Sequence, residues 1–409
     1  MTTSEALSAA IADSLADPDA RPLVLEDRQH LAYGMPGIAL LHIERAAAGL
    51  APWSRAHDWL FSAARQPVTS GPDSHPFYGA PALAHAVACA ADHQPGSYER
   101  ALTKLDEQMV RDVRRRLSAA HRRLDAGQLP QFAEFDVIRG LTGYGSYLLR
   151  RQPAGGALRD VLDYCVRLTR PITDRGERLP GWWAPTAPMG RLDDQFPEGH
   201  ANHGMSHGVG GVLALLALAA RHGTVVDGQH DAMRTILAWL SRWHGQAWPY
   251  WVTRAELRAD SLAPSAPRRP SWCYGTAGVA RAQQLAALAL NEAPRQVEAE
   301  TALVAALTDP AQLRATTDNG LCHGFAGLAH VASRAADDAH PSTAAQLRDA
   351  IPALLSTVCP PDTDPVDAAV ANEAGPGFLD GAAGIALAVL APATGTPPHT
   401  AWDSCLLIA

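Results

Sequence analysis

Two cysteines and a histidine sit in matching frames in the last third of the chain. The stretch Pro270-Ser271-Trp272-Cys273-Tyr274-Gly275-Thr276-Ala277-Gly278 places Cys273 two residues ahead of a glycine turn. Leu321-Cys322-His323-Gly324-Phe325-Ala326-Gly327 does the same with Cys322 and adds His323 directly before the glycine. Two soft thiolates and an imidazole are three of the four ligands that a tetrahedral zinc takes. Three protein ligands leave one position open, which marks a catalytic rather than a structural zinc site. The competing reading is two buried cysteines and a satisfied histidine, because free cysteine is among the most buried residue types. Repetition of the frame favours metal, with a single zinc per chain at Cys273, Cys322 and His323.

Further groups share the same kind of position. His207, in Asn202-His203-Gly204-Met205-Ser206-His207-Gly208, occupies the place that Tyr274 and His323 hold in their frames. An imidazole there can donate or accept a proton near neutral pH. Asp136 precedes another such turn in Phe135-Asp136-Val137-Ile138-Arg139-Gly140; taken alone it reads equally as a helix cap. Arg269, four residues before Cys273, can set a guanidinium beside a metal and an anionic intermediate, or be a surface arginine in the Pro-rich loop 263–270.

The elements that must position these groups come from an internal repeat. A short Gly-x-x-Gly frame begins at Gly34, Gly79, Gly140, Gly208, Gly275, Gly324 and Gly381, with Ala82 replacing the second glycine of the second copy. The first glycines lie between 45 and 68 residues apart, room for two helices and two loops per repeat. The apolar runs after the turns, such as 212–218 and 385–390, read as buried inner helices; 106–123 and 296–307, with charges at helical spacing, read as outer ones. Seven such pairs closing on themselves give an all-α fold, an α/α toroid or barrel, with the turns and any site gathered at one end. An open superhelix of helix pairs is the alternative; convergence of distant metal ligands favours closure.

The chain reads as one domain over 1–409, with a small inserted subdomain placed around 88–135 or 171–203. The second of these segments is rich in Pro, Gly, Trp and Asp and, with Trp182 and Trp183, is expected to form an ordered wall over the site. A first amphipathic helix is expected near 4–16. His42, His85 and His330 lie deeper in helices and read as core. The arginine-rich stretch 111–123 reads as a solvated helix face rather than a grip on an acidic peptide.

Composition sets further limits. The 409 residues are 47% hydrophobic with a net charge of −8, enough for a large core and without the basic footprint of a nucleic-acid binder. Lys104 is the only lysine, a bias of GC-rich bacterial genomes that carries no function. The acidic start has no signal-peptide pattern, and the longest apolar run, 209–220, falls short of the ~20 residues that span a bilayer. A cytoplasmic protein, not integral to the membrane, is the expectation, and six cysteines scattered over such a length do not form a disulfide framework.

Trp272-Cys273-Tyr274-Gly275, Leu321-Cys322-His323-Gly324, Met205-Ser206-His207-Gly208, Asp136-Val137-Ile138-Arg139-Gly140 and the segment from Pro180-Gly181-Trp182 to Gly199 together resemble the lanthionine synthetase C family of lantibiotic cyclases. The resemblance covers essentially the whole chain; Ser206 stands where the family often has alanine. It implies an α/α toroid with one Zn2+ held by Cys273, Cys322 and His323, His207 as acid/base, and Asp136 and Arg269 in support. The activity implied is addition of peptide cysteine thiolates to dehydroalanine or dehydrobutyrine in a ribosomal precursor peptide, giving lanthionine and methyllanthionine rings. A separate dehydratase must then supply the dehydrated precursor, with an exporter as a further partner. Two other readings stand beside it: a zinc- and thiol-binding (glutathione-binding) or regulatory relative that makes no rings, and a carbohydrate-active α/α barrel, which would use paired carboxylates.

Overall fold

A helix that is apolar on every side must be surrounded by protein, and this governs the arrangement of the repeats. The computed structural model describes all residues except 1, 21–22, 25–26, 188–189, 191–192, 246 and 365–373. It forms two compact units: residues 1–109, 316–404 and 409, and residues 110–315 with 405–408. Each is built from helices that start at the glycine turns and are buried almost throughout, most of them covered by a helix with only one buried face.

In the first unit the inner helices are Met35–Ala47, Ala80–Ala91, Phe325–Asp337 and Ala382–Ala388. They pack side by side in the order sixth, seventh, first and second turn. Trp53–Ala64 and Ala344–Val358 cover the first and sixth. The cover of the seventh comes from the other end of the chain: Thr3–Ser14, started by a Thr2/Glu5 capping box, packs on Ala382–Ala388. In the second unit the inner helices Leu141–Arg151, Val209–Arg221 and Thr276–Leu290 pack in chain order, covered by Gly156–Leu168, Gln229–Arg242 and Ala293–Thr308.

Backbone hydrogen bonds join neighbouring turns. In the first unit Leu31 N–H donates to Phe77 O at 2.8 Å, Cys322 N–H to Leu379 O at 2.8 Å, and Phe378 N–H to Ala32 O at 2.7 Å. In the second, Val137 N–H donates to Ser206 O at 3.0 Å and Ser206 N–H to Cys273 O at 3.4 Å. Main-chain groups thus fix the turns and leave side chains at their tips free to face outward. The residue before the first glycine (Tyr33, Tyr78, Arg139, His207, Tyr274, His323, Asp380) is exposed or half-buried at all seven turns.

The glycines are set by this crowding. A Cβ on the second glycine would run into the carbonyl oxygen three residues before the first: Leu31 for Gly37, Met205 for Gly211, Trp272 for Gly278, Leu321 for Gly327, Phe378 for Gly384. Gly275 has a further reason, a φ of 116° that side-chain-bearing residues rarely adopt. Gly278→Ala is expected to destabilise the protein by about 1–3 kcal/mol through overpacking against Trp272 O and Met205. Denaturant unfolding checks it, and an unchanged midpoint would mean that the helix start relaxes freely.

Residues 88–135 contain the end of an inner helix, the long helix Glu99–Asp125 and the short helix Phe132–Phe135. Within the Glu99–Asp125 helix Arg111, Arg114, Arg115 and Arg122 are exposed, the solvated face expected there. Segment 171–203, of which 188–189 and 191–192 lie outside the described residues, holds strands rather than helix. Ile172–Asp174 pairs antiparallel with Glu177–Leu179, and His200–Asn202 with Trp251–Thr253. Trp182 and Trp183 are ordered but fully buried, Trp182 edge-on to Trp239 at 5.8 Å and Trp183 Nε1 donating to Glu198 O at 3.1 Å. They are core rather than the exposed surface of a wall. Arg254, 2% exposed, ties the first hairpin to the helix Arg254–Ala259 through Asp174 at 2.7 Å and Glu177 at 2.5 Å.

The three histidines read as core are core. His42 Nε2 donates to Leu15 O at 2.8 Å and burial lowers its pKa to about 4. His85 Nε2 bonds to Trp402 O at 2.9 Å. His330 Nε2 meets Asp403 Oδ2 at 2.8 Å, and Arg334 grips the same carboxylate at 2.7 and 3.0 Å. His330 also stacks on Trp402 at 4.8 Å. In the second unit Trp272 Nε1 donates to Leu406 O and Arg281 Nε to Ile408 O, both at 3.0 Å. Among the described residues no helix is long and apolar enough to cross a membrane.

Candidate active site

Three turns of the second unit present His207, Tyr274 and the buried Asp136. Asp136, 1% exposed, is both of the things its position suggested. Oδ1 accepts the N–H groups of Arg139 at 2.6 Å and Gly140 at 2.7 Å, capping the turn, while Oδ2 meets His207 Nδ1 at 2.6 Å. A carboxylate only accepts, so Nδ1 is the donor and Nε2 is the ring nitrogen that exchanges a proton. His203, four residues earlier, is a different case. It is fully buried, donates from Nδ1 to Pro249 O at 3.0 Å and accepts from Trp239 Nε1 at 2.9 Å. Burial pushes its pKa down to about 4, so it stays neutral and is no proton donor.

Cys273 is 5% exposed. Its carbonyl accepts Ser206 N–H and, at 3.3 Å, Ser206 Oγ; its Sγ lies 3.6 Å from Ser271 Oγ. Ser206 therefore adds a tie between the fourth and fifth turns that alanine could not make. From His207 an aromatic row leads outward: Tyr274 at 6.2 Å, then Tyr250 and Trp251 at 5.5 and 6.1 Å from Tyr274. Asn202 Nδ2 donates to the Tyr274 hydroxyl at 3.3 Å. Arg268 lies over Tyr250 and Trp251 at 4.9 and 5.4 Å. These residues and Arg269 line a groove of about 540 Å³. Tyr250 donates to Arg269 O at 2.9 Å, and burial raises its hydroxyl pKa to about 12.

The first unit holds a second constellation. His323 Nδ1 bonds to Asp318 Oδ2 at 2.8 Å, and Asp318 Oδ1 accepts Gly320 N–H at 2.9 Å. The pattern is that of Asp136: one oxygen caps the turn and the other fixes the tautomer of a turn histidine, leaving Nε2 to act. Nε2 lies 3.1 Å from Asp380 Oδ1 in the neighbouring turn. Cys322, half-buried, completes a set whose sulfur, nitrogen and oxygen donors all lie within 4.8 Å of one another. Asp380 Oδ1 is buried and without a hydrogen-bond partner among the described residues. A histidine oriented by a carboxylate, a thiolate and an unsatisfied buried carboxylate oxygen fit a borderline-soft divalent ion such as zinc.

Sequence reasoning picked Cys322, His323, His207 and Asp136, and within each unit they fall into working pairs or clusters. It passed over Asp318 and Asp380, although Asp380 holds the same position before its glycine as His207 and His323. Arg268, Tyr250 and Trp251 were also missed; the Pro-rich loop 263–270 carries no periodicity to flag them.

The family model described as "Lanthionine synthetase C-like protein" matches residues 26–407. The nisin biosynthesis protein NisC of Lactococcus lactis subsp. lactis is 25% identical over 209 residues, 49% of this chain and 49% of that protein. The alignment thus spans about half the length of this relative. Among solved structures, nisin cyclase superposes with a TM-score of 0.76 at 20% identity, covering 98% of this chain and 97% of its own. At that identity the likeness speaks for the fold, which is the α/α toroid expected from the repeats.

Proposed function

The chain belongs to the lanthionine synthetase C-like family, and on that footing we propose that it is a zinc-dependent cyclase. It would close lanthionine and methyllanthionine rings by adding peptide cysteine thiolates to dehydroalanine or dehydrobutyrine in a dehydrated precursor peptide. Cys273, Cys322 and His323 are the proposed zinc ligands. The chemistry zinc supplies there is a lowered proton affinity for a peptide thiol, ordinarily of pKa about 8.5, so that thiolate is available at neutral pH.

The residues of the chain do the rest. Addition of sulfur to the β-carbon leaves an enolate, and His207 delivers a proton from Nε2 to its Cα. Asp136 holds Nδ1 and stabilises the charged form of the ring that this transfer needs. Arg269 offsets the enolate charge. The aromatic row Tyr274, Tyr250 and Trp251 gives the peptide an apolar bed beside His207. The observation that carries this reading is the 2.6 Å contact between His207 and an Asp136 already fixed by two N–H groups. A thiol-binding protein that makes no rings has no use for a proton donor so arranged.

The substrate must arrive dehydrated, because no group in either constellation activates a serine or threonine hydroxyl as a leaving group. A separate dehydratase is the proposed partner upstream. The test supplies a peptide already dehydrated and follows loss of free thiol at constant mass. Thiol loss no faster than without protein would sink the proposal, and water loss from an untreated peptide would remove the need for a separate dehydratase. Cys322→Ala and Cys273→Ala are each expected to strip zinc from the purified protein, measured by elemental analysis. Zinc content equal to that of the wild type in either variant would take that cysteine out of the ligand set.

A further inference from the structure

The aromatic row beside His207 ends in a cation. Arg268 lies over Tyr250 at 4.9 Å and Trp251 at 5.4 Å, measured from its guanidinium carbon to each ring centre. Contact with two ring faces fixes where the guanidinium sits and leaves its fork of N–H donors to bind an anion. Among the described residues those donors meet no hydrogen-bond acceptor and no carboxylate. The two acids that line the groove, Glu256 and Asp309, are engaged elsewhere. Glu256 accepts the N–H groups of Thr253 at 2.8 Å and Ala263 at 3.1 Å. Asp309 accepts Ala311 N–H at 2.8 Å and the Gln312 amide at 3.1 Å. The loop carrying Arg268 is held as well: Pro267 and Pro270 flank the two arginines, and the Tyr250 hydroxyl donates to Arg269 O at 2.9 Å. A half-buried guanidinium, placed by its surroundings and with its donors unused, is preorganised for a planar anion gripped by two N–H groups.

We propose that Arg268 forms a carboxylate-binding subsite, which receives an aspartate or glutamate side chain of the precursor peptide within about five residues of the dehydro residue under attack. The inference rests on the ring-forming reading above and adds a sequence preference to it. Among ordinary peptide side chains only these two are anions of the shape that a guanidinium grips. The spacing follows from the row. His207 to Tyr274, Tyr274 to Tyr250 and Tyr250 to Arg268 are steps of 6.2, 5.5 and 4.9 Å, and an extended peptide advances about 3.3–3.6 Å per residue. All four residues belong to the second unit. A peptide whose reacting carbon sits at His207 Nε2 lays its next few residues over the two tyrosines and brings its acid to Arg268. No covalent bond is made or broken there. The ion pair fixes the register of the peptide, so that one dehydro residue rather than its neighbour is presented to the proton donor.

The experiment uses the full zinc-loaded chain, as wild type, Arg268→Gln and Arg268→Lys, and dehydrated peptides holding one cysteine and one dehydroalanine. The peptides carry glutamate or glutamine about four residues to either side of the dehydroalanine, or glutamate about ten residues away, each with an amidated or a free C-terminus. Ring closure is followed as thiol loss. Binding is followed as fluorescence anisotropy of labelled copies in which alanine replaces dehydroalanine and serine replaces cysteine. Wild type should favour near glutamate over glutamine by about tenfold, chiefly in KM and less so at raised salt. The distant glutamate should behave as glutamine. Arg268→Gln should level the peptides, and Arg268→Lys should restore only part of the difference, because an ammonium lacks the paired donors. Equal KM and equal binding for near glutamate and glutamine in wild type would overturn the subsite and leave ring formation standing. A preference that survives in Arg268→Gln would take Arg268 out of it, and one that follows the free C-terminus would overturn the side-chain assignment. Closure of no peptide would overturn the ring-forming reading, and the anisotropy difference between near glutamate and glutamine would then decide the subsite by itself.

Discussion

His207→Phe should retain zinc and its unfolding midpoint and yet lose ring formation by about 10²–10⁴-fold, the usual contribution of a positioned acid or base. The side chain is only partly buried, and phenylalanine fills the same space beside Tyr274, so the fold has little reason to suffer. What is lost is the proton-exchanging Nε2 of a ring held through Nδ1 by Asp136, which two N–H groups fix in turn. Residual activity is expected, because sulfur can still add and water can protonate the enolate slowly. The measurement is thiol consumption on a dehydrated peptide, with zinc content and thermal unfolding run on the same preparations. Loss of zinc in the variant would make His207 a ligand; an unchanged rate would move the proton donor elsewhere, with Tyr274 the next group to replace.

The second large effect concerns stability. Asp403 is fully buried between Arg334 and His330. Burial alone would raise its carboxyl, but Arg334 and His330 outweigh that and hold its pKa well below the usual range. Removing the carboxylate leaves a largely buried guanidinium without its partner, a change that typically costs about 3–5 kcal/mol. Asp403→Ala should therefore unfold at much lower denaturant concentration, while Asp403→Asn, which keeps an acceptor, should lose less. The pH dependence has a definite sign. A carboxyl whose folded pKa is depressed binds its proton more readily when unfolded, so its stabilisation is complete above the ordinary aspartate value near 3.9 and drains away as pH falls below it. Urea midpoints across the acid range check this: the difference between wild type and Asp403→Ala should shrink as pH drops, and a constant difference would mean that packing, not charge, carries the effect.

Much of this was legible because the repeat is written in glycine. A Gly-x-x-Gly frame followed by alanine and leucine announces a close backbone approach and a buried helix, and each of the seven frames opens a helix. The covering helices are amphipathic and could be placed by their charges. The short strands were not readable: three residues such as His200–Asn202 show no alternation, and their partner Trp251–Thr253 lies some fifty positions on. The pairing of the seventh inner helix with Thr3–Ser14 was hidden for the same reason, since no local pattern says which distant helix covers which. At the site, Cys and His stood out because few surface loops use them at that spacing. Asp318 and Asp380 did not, because aspartate beside glycine is what any turn looks like; only the placement of Asp380 Oδ1 against His323 Nε2 separates it from a turn residue.

The outward residue before each first glycine has a consequence for how such a protein can diverge. Its turn is held by main-chain bonds that every residue type can make, so replacing it removes no bond on which the fold depends. Tyrosine, arginine, histidine and aspartate already occupy this one position within a single chain. A lineage could thus exchange reactive groups there one mutation at a time, each variant still folding, and acquire a new chemistry before giving up the old one.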